Sequence, residues 1–271
     1  MSKEISWFDI GVNLTNSQFA DDWLAVVDDA KEKGVSRLVL TGTSLAESYS
    51  ALELANQMQD VYCTAGIHPH DAKDATEADF LALQNLFLEQ AKVVALGECG
   101  LDFNRNYSPK KEQLCTFERQ LEIAALLNAP LFLHQRDAHA DFIALLKRYK
   151  KDIDNVVVHC FTGTKAELND YLALDCYIGL TGWVCDERRG LDVLALSADI
   201  PLERLLLETD APFLLPRTIK PKPKSRRNTP ANLPHIGLQI AQQLQTDVVQ
   251  LAAQTLENSL RFFRLSDVER R

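Results

Sequence analysis

The chain has 271 residues, 46% of them hydrophobic and 25% charged, which excludes a disordered polypeptide and allows a sizeable core without disulfide staples. Its formal net charge of −9 excludes a protein that coats nucleic acid through a global basic surface, though not one with a local basic patch. No apolar run approaches the roughly 20 residues that span a bilayer, so no membrane partner is expected.

The opening residues, MSKEISWFDIG, carry acids and lack a continuous apolar core, so they do not read as a secretory signal. Apolar runs with strand character then recur along the chain: ISWFDIG (5–11), RLVLTG (37–42), VYCTAG (61–66), VVALGE (93–98), PLFLH (130–134), VVVHC (156–160), CYIGLTG (176–182) and LLLETD (205–210). Their hydrophobicity is continuous rather than alternating, as in parallel strands covered on both faces. Amphipathic segments separate them, among them FADDWLAVVDDAKEKG and KEQLCTFERQLEIAALLN, with Gly34 and Asn128 as expected helix stops. After the eighth run comes a Pro-rich basic stretch, RTIKPKPKSRR (217–227), then the helical patterns LPHIGLQIAQQL and DVVQLAAQTLENSLRFF. Eight β-then-α units with no break in composition predict one α/β domain over 1–271, a single (β/α)8 TIM barrel. An open doubly wound sheet would announce a Gly-rich phosphate turn after its first strand, and none is present.

Six cysteines, at 63, 99, 115, 160, 176 and 185, form no CxxC pair; free thiols and a cytoplasmic setting are expected, and, separately, a monomer. Cys99 and Cys160 follow polar residues within strand runs and are expected to pack on the opposite face. The basic stretch reads either as a solvated, Pro-stiffened loop or as a phosphate clamp built from Arg217, Lys220, Lys222, Lys224, Arg226 and Arg227.

Four of the apolar runs close on metal-ligand residue types: Glu98, His134, His159 and Asp210. In a barrel, the C-terminal strand ends share one mouth. One such residue alone is more often a satisfied loop residue; four at equivalent places point to a shared divalent cation. Imidazole with carboxylate and no thiolate suits magnesium, manganese, zinc or iron in an open, catalytic site. Glu98, His134 and His159 would hold the ion. Asp210 would be a further ligand or the group that activates water, so Asp210 and Glu98 are the expected catalytic residues. His68, in GIHPH, would contact substrate, whereas His70 is open between function and turn capping. Asn13 shares a strand face with Asp9 and Gly11, as Glu208 does with Asp210, and would hydrogen-bond a phosphate or water. Arg136 would pair with a phosphate oxygen or with Glu98. His139 and His235 lie in helical patterns and read as structural.

The runs FDIGVNLT (8–15), GIHPHD (66–71), GECGLDFNR (97–105), HQRDAH (134–139), HCFTGT (159–164), YIGLTGWVCDERRG (177–190) and ETDAPFLLPR (208–217) together resemble the TatD-related deoxyribonuclease family, in the same order from the first strand to the C-terminal helices. The resemblance implies an amidohydrolase-like TIM barrel that removes nucleotides from DNA, and from RNA, with a divalent metal, usually Mg2+ or Mn2+. Position by position it assigns Glu98, His134 and His159 as ligands and Asp210 as the strand-eight aspartate. One feature departs: the wider family's HxH pair after strand one is replaced here by Gly11 and Asn13, which weakens the case for a second ion. The expected activity is 3′ to 5′ exonuclease action on single-stranded DNA, with direction and strandedness resting on the resemblance. A D-aminoacyl-tRNA deacylase or amide hydrolase using the same activated water, and a noncatalytic nucleic-acid-binding barrel, are the competing readings.

Overall fold

Each apolar run becomes a strand in the computed structural model, which describes residues 5–265; the first four residues of the N-terminal stretch read above lie outside them. In chain order the elements are β1 (Trp7–Val12), α1 (Trp23–Glu32), β2 (Val35–Leu40), α2 (Leu45–Asn56), β3 (Val61–Ala65), α3 (Glu77–Glu89), β4 (Val93–Asp102), α4 (Lys110–Leu127), β5 (Leu131–Arg136), α5 (His139–Tyr149), β6 (Val156–Val158), α6 (Lys165–Ala173), β7 (Tyr177–Leu180), α7 (Leu191–Leu196), β8 (Leu205–Leu207), α8 (Leu233–Gln243) and α9 (Val248–Phe262). The strands form one eight-stranded sheet in the order β1 to β8, and a parallel bridge from Val12 to Ala211 joins the end of β1 to the segment after β8. This is the (β/α)8 barrel the alternation predicts.

Helix boundaries follow their local chemistry. Ser44 accepts a hydrogen bond from the Glu47 amide at the start of α2, and Thr76 with Asp79 forms a reciprocal capping box at α3. Both expected stops are present: Gly34 follows α1 with φ 84° and Asn128 closes α4 with φ 46°. Within the described residues, no helix is long and apolar enough to cross a membrane.

Two strand ends differ from expectation in a way that matters. β4 runs past Glu98 to Asp102 and β5 runs past His134 to Arg136, because Cys99 and Leu101 are fully buried and keep the strand covered. Glu98 is therefore inside a strand, not at its end. β6 and β8 stop short, at Val158 and Leu207, leaving His159 and Asp210 on the segments that follow.

The chain gathers into two compact units. One holds the chain up to Val39, Cys160–Lys165 and the chain from Ile178 onward; the other holds Leu40–His159 and Ala166–Tyr177. In the first, the Trp7 ring packs so closely under Gly237 of α8 that a Cβ there would overlap it, and Phe8 meets Phe263 at a ring separation of 5.8 Å. In the second, Phe117 of α4 stacks on Phe142 of α5 at 5.1 Å. Tyr171 closes that cluster, and its hydroxyl bonds His139 Nδ1 at 2.9 Å. His139 is thus packed into this cluster, and His235 Nε2 bonds the Thr218 hydroxyl at 2.7 Å.

Candidate metal centre

The pairing of β4 with β5 sets the site in the second unit. Leu96 lies opposite Leu131 but Cys99 lies opposite Leu133, so β4 holds one residue more than β5 across this interval, a bulge next to Glu98. Beyond it Gly100 pairs with His134 and Asp102 with Arg136. Gly100 has φ 144°, and a Cβ there would overlap the His134 carbonyl oxygen, so only glycine lets the two strands approach this closely.

Glu98 is buried, and three imidazoles converge on its Oε1: His134 Nδ1 and His159 Nε2 at 2.9 Å each, and His68 Nε2 at 3.3 Å. The donor atoms of His68, Glu98 and His134 all lie within 4.8 Å of one another. A second carboxylate stands beside this set. Asp102 Oδ2 receives His70 Nε2 at 2.8 Å and lies 3.6 Å from His134 Nε2, too far for a hydrogen bond. Its Oδ1 accepts the amides of Asn104 and Arg105.

Two buried glutamines of α4 hold the loops that carry these groups. Gln120 accepts from the Ile67 amide at 2.9 Å and donates to the Ile67 carbonyl at 3.0 Å, fixing the GIHPH turn. Gln113 does the same to Asp102, at 2.9 and 3.1 Å. The turn itself is tied by the His70 amide, which donates to His68 Nδ1 at 3.1 Å; the His68 ring proton therefore sits on Nε2, facing Glu98.

Charge follows from these distances. Burial would raise the Glu98 pKa, but attraction to His159 and His68 and hydrogen bonds from His134 and His159 outweigh it and hold the carboxyl well below its usual range. Burial would likewise raise Asp102, and the imidazoles of His134 and His70 with the Arg105 amide pull it down instead. His68 is pushed down to about 4 by burial and is neutral near pH 7. His134 moves up: burial opposes its charge, but Asp102 and Glu98, one at each ring nitrogen, prevail. The centre thus favours positive charge between two ionised carboxylates. It also fits a cation: the possible ligand atoms of His68, Glu98 and His134 lie close together, and His134 Nε2 is buried with no hydrogen-bond partner.

Of the expected ligands, Glu98, His134 and His159 meet at one oxygen. Asp210 lies in the first unit with its own neighbours: its φ is 54°, its amide donates to the Gly11 carbonyl at 2.9 Å, and its Oδ1 accepts from Asn13 Nδ2 at 3.0 Å. Asn13 therefore spends a donor on orienting Asp210. Asp9 accepts from the Thr209 amide and hydroxyl and from the Gly11 amide, and Glu208 Oε1 accepts from the Cys160 amide at 2.6 Å. Arg136 is exposed whereas Glu98 is buried, and the expected pairing of the two is not made. Cys99 is buried and its thiol is pushed well up by burial, in keeping with a packing role. Asp102, Gln113 and Gln120 do not stand out in the sequence as parts of the site. For Asp102 a signal existed, since Glu98, Gly100 and Asp102 alternate along the chain.

The TatD related DNase family model matches residues 8–264. The chain is 52% identical over 259 residues to the 3′-5′ ssDNA/RNA exonuclease TatD of Edwardsiella piscicida, covering 95% of this chain and 99% of that protein. It is 53% identical over 261 residues to the protein of the same name from Pectobacterium parmentieri, covering 96% and 100%. Among solved structures, a TatD homolog from Escherichia coli K12 superposes with a TM-score of 0.87 at 26% identity, covering 96% of this chain and 98% of that one. The chain belongs to the TatD-related DNase family.

Proposed function

We propose that this protein is a divalent-metal-dependent 3′–5′ exonuclease that hydrolyses phosphodiester bonds of single-stranded DNA and RNA, with Mg2+ as its working ion and Mn2+ or Zn2+ as substitutes. The observation that carries the reading is the convergence of three imidazoles on Glu98 Oε1 in a TatD-family chain whose relatives at 52–53% identity are named for that activity.

Glu98, His134 and His159 would hold the ion; when bound, a divalent cation makes water a nucleophile at neutral pH and draws charge from phosphoryl oxygens. Glu98 contributes a full negative charge, since its imidazole neighbours keep it ionised. His68 is neutral with its proton on Nε2, so it can donate to Glu98 or to a substrate oxygen without competing for the cation. Asp102 orients His70 by their 2.8 Å hydrogen bond. Asp210, from its place in the family's ETDAP motif, is proposed to take the proton of the attacking water, its carboxylate steadied by Asn13. Arg136, exposed at the end of β5, is proposed to meet a phosphate oxygen. A cytoplasmic setting is supported by six free cysteines, and a monomer is proposed, to be checked by sedimentation.

A 5′-end-labelled single strand, DNA or RNA, tests the reading. Progressive shortening from the 3′ end with Mg2+ or Mn2+, abolished by chelator and by Glu98→Ala, is expected. A native protein that binds the strand and releases no mononucleotide would end it.

A further inference from the structure

Beyond the metal centre, the first unit contains a cavity of about 620 Å³ between the turn after β7 and residues 214–226, a volume in the range of small-molecule sites. Its floor is organised by one buried acid. Asp186 accepts from the Arg188 amide at 3.0 Å and from the Arg188 guanidinium at 3.3 Å, takes two further bonds from Arg189 at 3.3 and 3.4 Å, and lies 3.6 Å from Arg217 Nε. One carboxylate cannot neutralise three guanidiniums, and each of them has five N–H groups to offer. Lys220, Lys222 and Arg226 extend the lining and have no ion-pair partner among the described residues. Glu187 is the other acid in the wall, so six cations face two carboxylates.

An aromatic group completes the set. Trp183, half-buried, lines the same cavity, and the Arg189 guanidinium lies over its ring at 4.5 Å. Cations beside an aromatic face are the combination that holds single-stranded nucleic acid, the cations tracking phosphates and the ring stacking a base. Arg227 is separate. It bonds Asp22 at 2.8 and 2.6 Å and lies over Phe19, so the basic stretch divides into a structural end and a cavity-lining part, and the lining recruits Arg188 and Arg189 from elsewhere in the chain.

We propose that this cavity is a phosphate-binding site for a single nucleic-acid strand, with Asp186 as the positioning residue that keeps Arg188, Arg189 and Arg217 spread toward the ligand. It deepens the nuclease reading and rests on that reading for the identity of the strand.

The test is a titration of the Mg2+-loaded protein with a nuclease-resistant phosphorothioate oligothymidylate, read by Trp183 fluorescence and by anisotropy of the labelled strand. The triple variant Lys220→Gln/Lys222→Gln/Arg226→Gln, all exposed positions, is expected to weaken binding at least tenfold at low salt. It should also flatten the slope of log affinity against log salt by about 2, at about 0.7 for each phosphate that is no longer neutralised. Trp183→Phe should abolish the fluorescence response and leave the salt slope in place. Thymidine monophosphate and inorganic phosphate are run beside the strand, and equal binding of either would overturn the strand as the ligand. Unchanged affinity and slope in the triple variant would overturn the site. Mononucleotide release from an ordinary strand by the native protein is measured in parallel: its absence would defeat the exonuclease reading, and its presence with an unmoved triple variant would defeat the cavity alone.

Discussion

Glu98 in one unit and Asp9 in the other are both buried acids, and their surroundings send them in opposite directions. Burial by itself raises both. Around Glu98 the opposing groups are imidazoles that can carry charge, and they reverse the effect. Around Asp9 burial dominates: the donors are the Thr209 hydroxyl and amide and the Gly11 amide, all neutral, Glu208 adds repulsion, and the carboxyl is pushed up to about 8. Neutral hydrogen bonds offset part of the desolvation of a buried acid; chargeable neighbours overturn it. The first arrangement keeps a negative charge ready for a cation. The second keeps a proton and serves as a link between β1 and the segment after β8.

Glu98→Gln keeps the shape of the side chain and removes its charge. Metal-dependent turnover should fall at least about 100-fold, with a matching loss of Mn2+ affinity by calorimetry; a variant that binds Mn2+ like the native protein would show that the imidazoles gather there for packing alone.

Gln120→Leu probes the support beneath the centre. It leaves both polar groups of Ile67 without their partner and should destabilise the fold by roughly 1–3 kcal/mol in a denaturant titration. Activity should fall further than the reduced stability accounts for, because His68 shifts with the turn. A variant as stable as the native protein would mean that water replaces the amide.

Asp9→Asn should have the gentlest effect on turnover, and its effect on stability should depend on pH. An acid whose pKa rises from 3.8 to about 8 on folding takes up a proton as it folds, so its contribution to stability is fully present below about pH 4 and is lost as pH climbs to about 8. The slope is no steeper than about 1.4 kcal/mol per pH unit. Asparagine cannot titrate, so the variant's stability should decline less than the native protein's across that window; parallel curves would show that Asp9 is ionised throughout.

The order of elements and the convergence of Glu98, His134 and His159 are legible in the sequence because both depend on pattern: continuous apolar runs for covered parallel strands, and polar residues interrupting them. Asp102 is hidden because the apolar run reads as ending at Glu98, when Cys99 and Leu101 carry the strand onward. Gln113 and Gln120 escaped for a different reason. A helix displays amides freely, and only the packed loops reveal that these two are buried and saturated. The basic stretch could be seen as a unit but not divided, since the Arg227 partner, Asp22, is distant in sequence. The role of Asn13 was likewise hidden, because its amide is engaged by a residue from the far end of the chain.

Gln113 and Gln120 stand two turns apart on α4, so helical pitch is a ruler that keeps the GIHPH turn and the end of β4 in phase. Inserting a single residue between them would rotate one amide by about 100° relative to the other and uncouple the two loops, even though no ligand had been altered. Length conservation in that short interval should therefore be stricter than in any surface helix of this protein, a constraint on evolution imposed by spacing and not by side-chain identity.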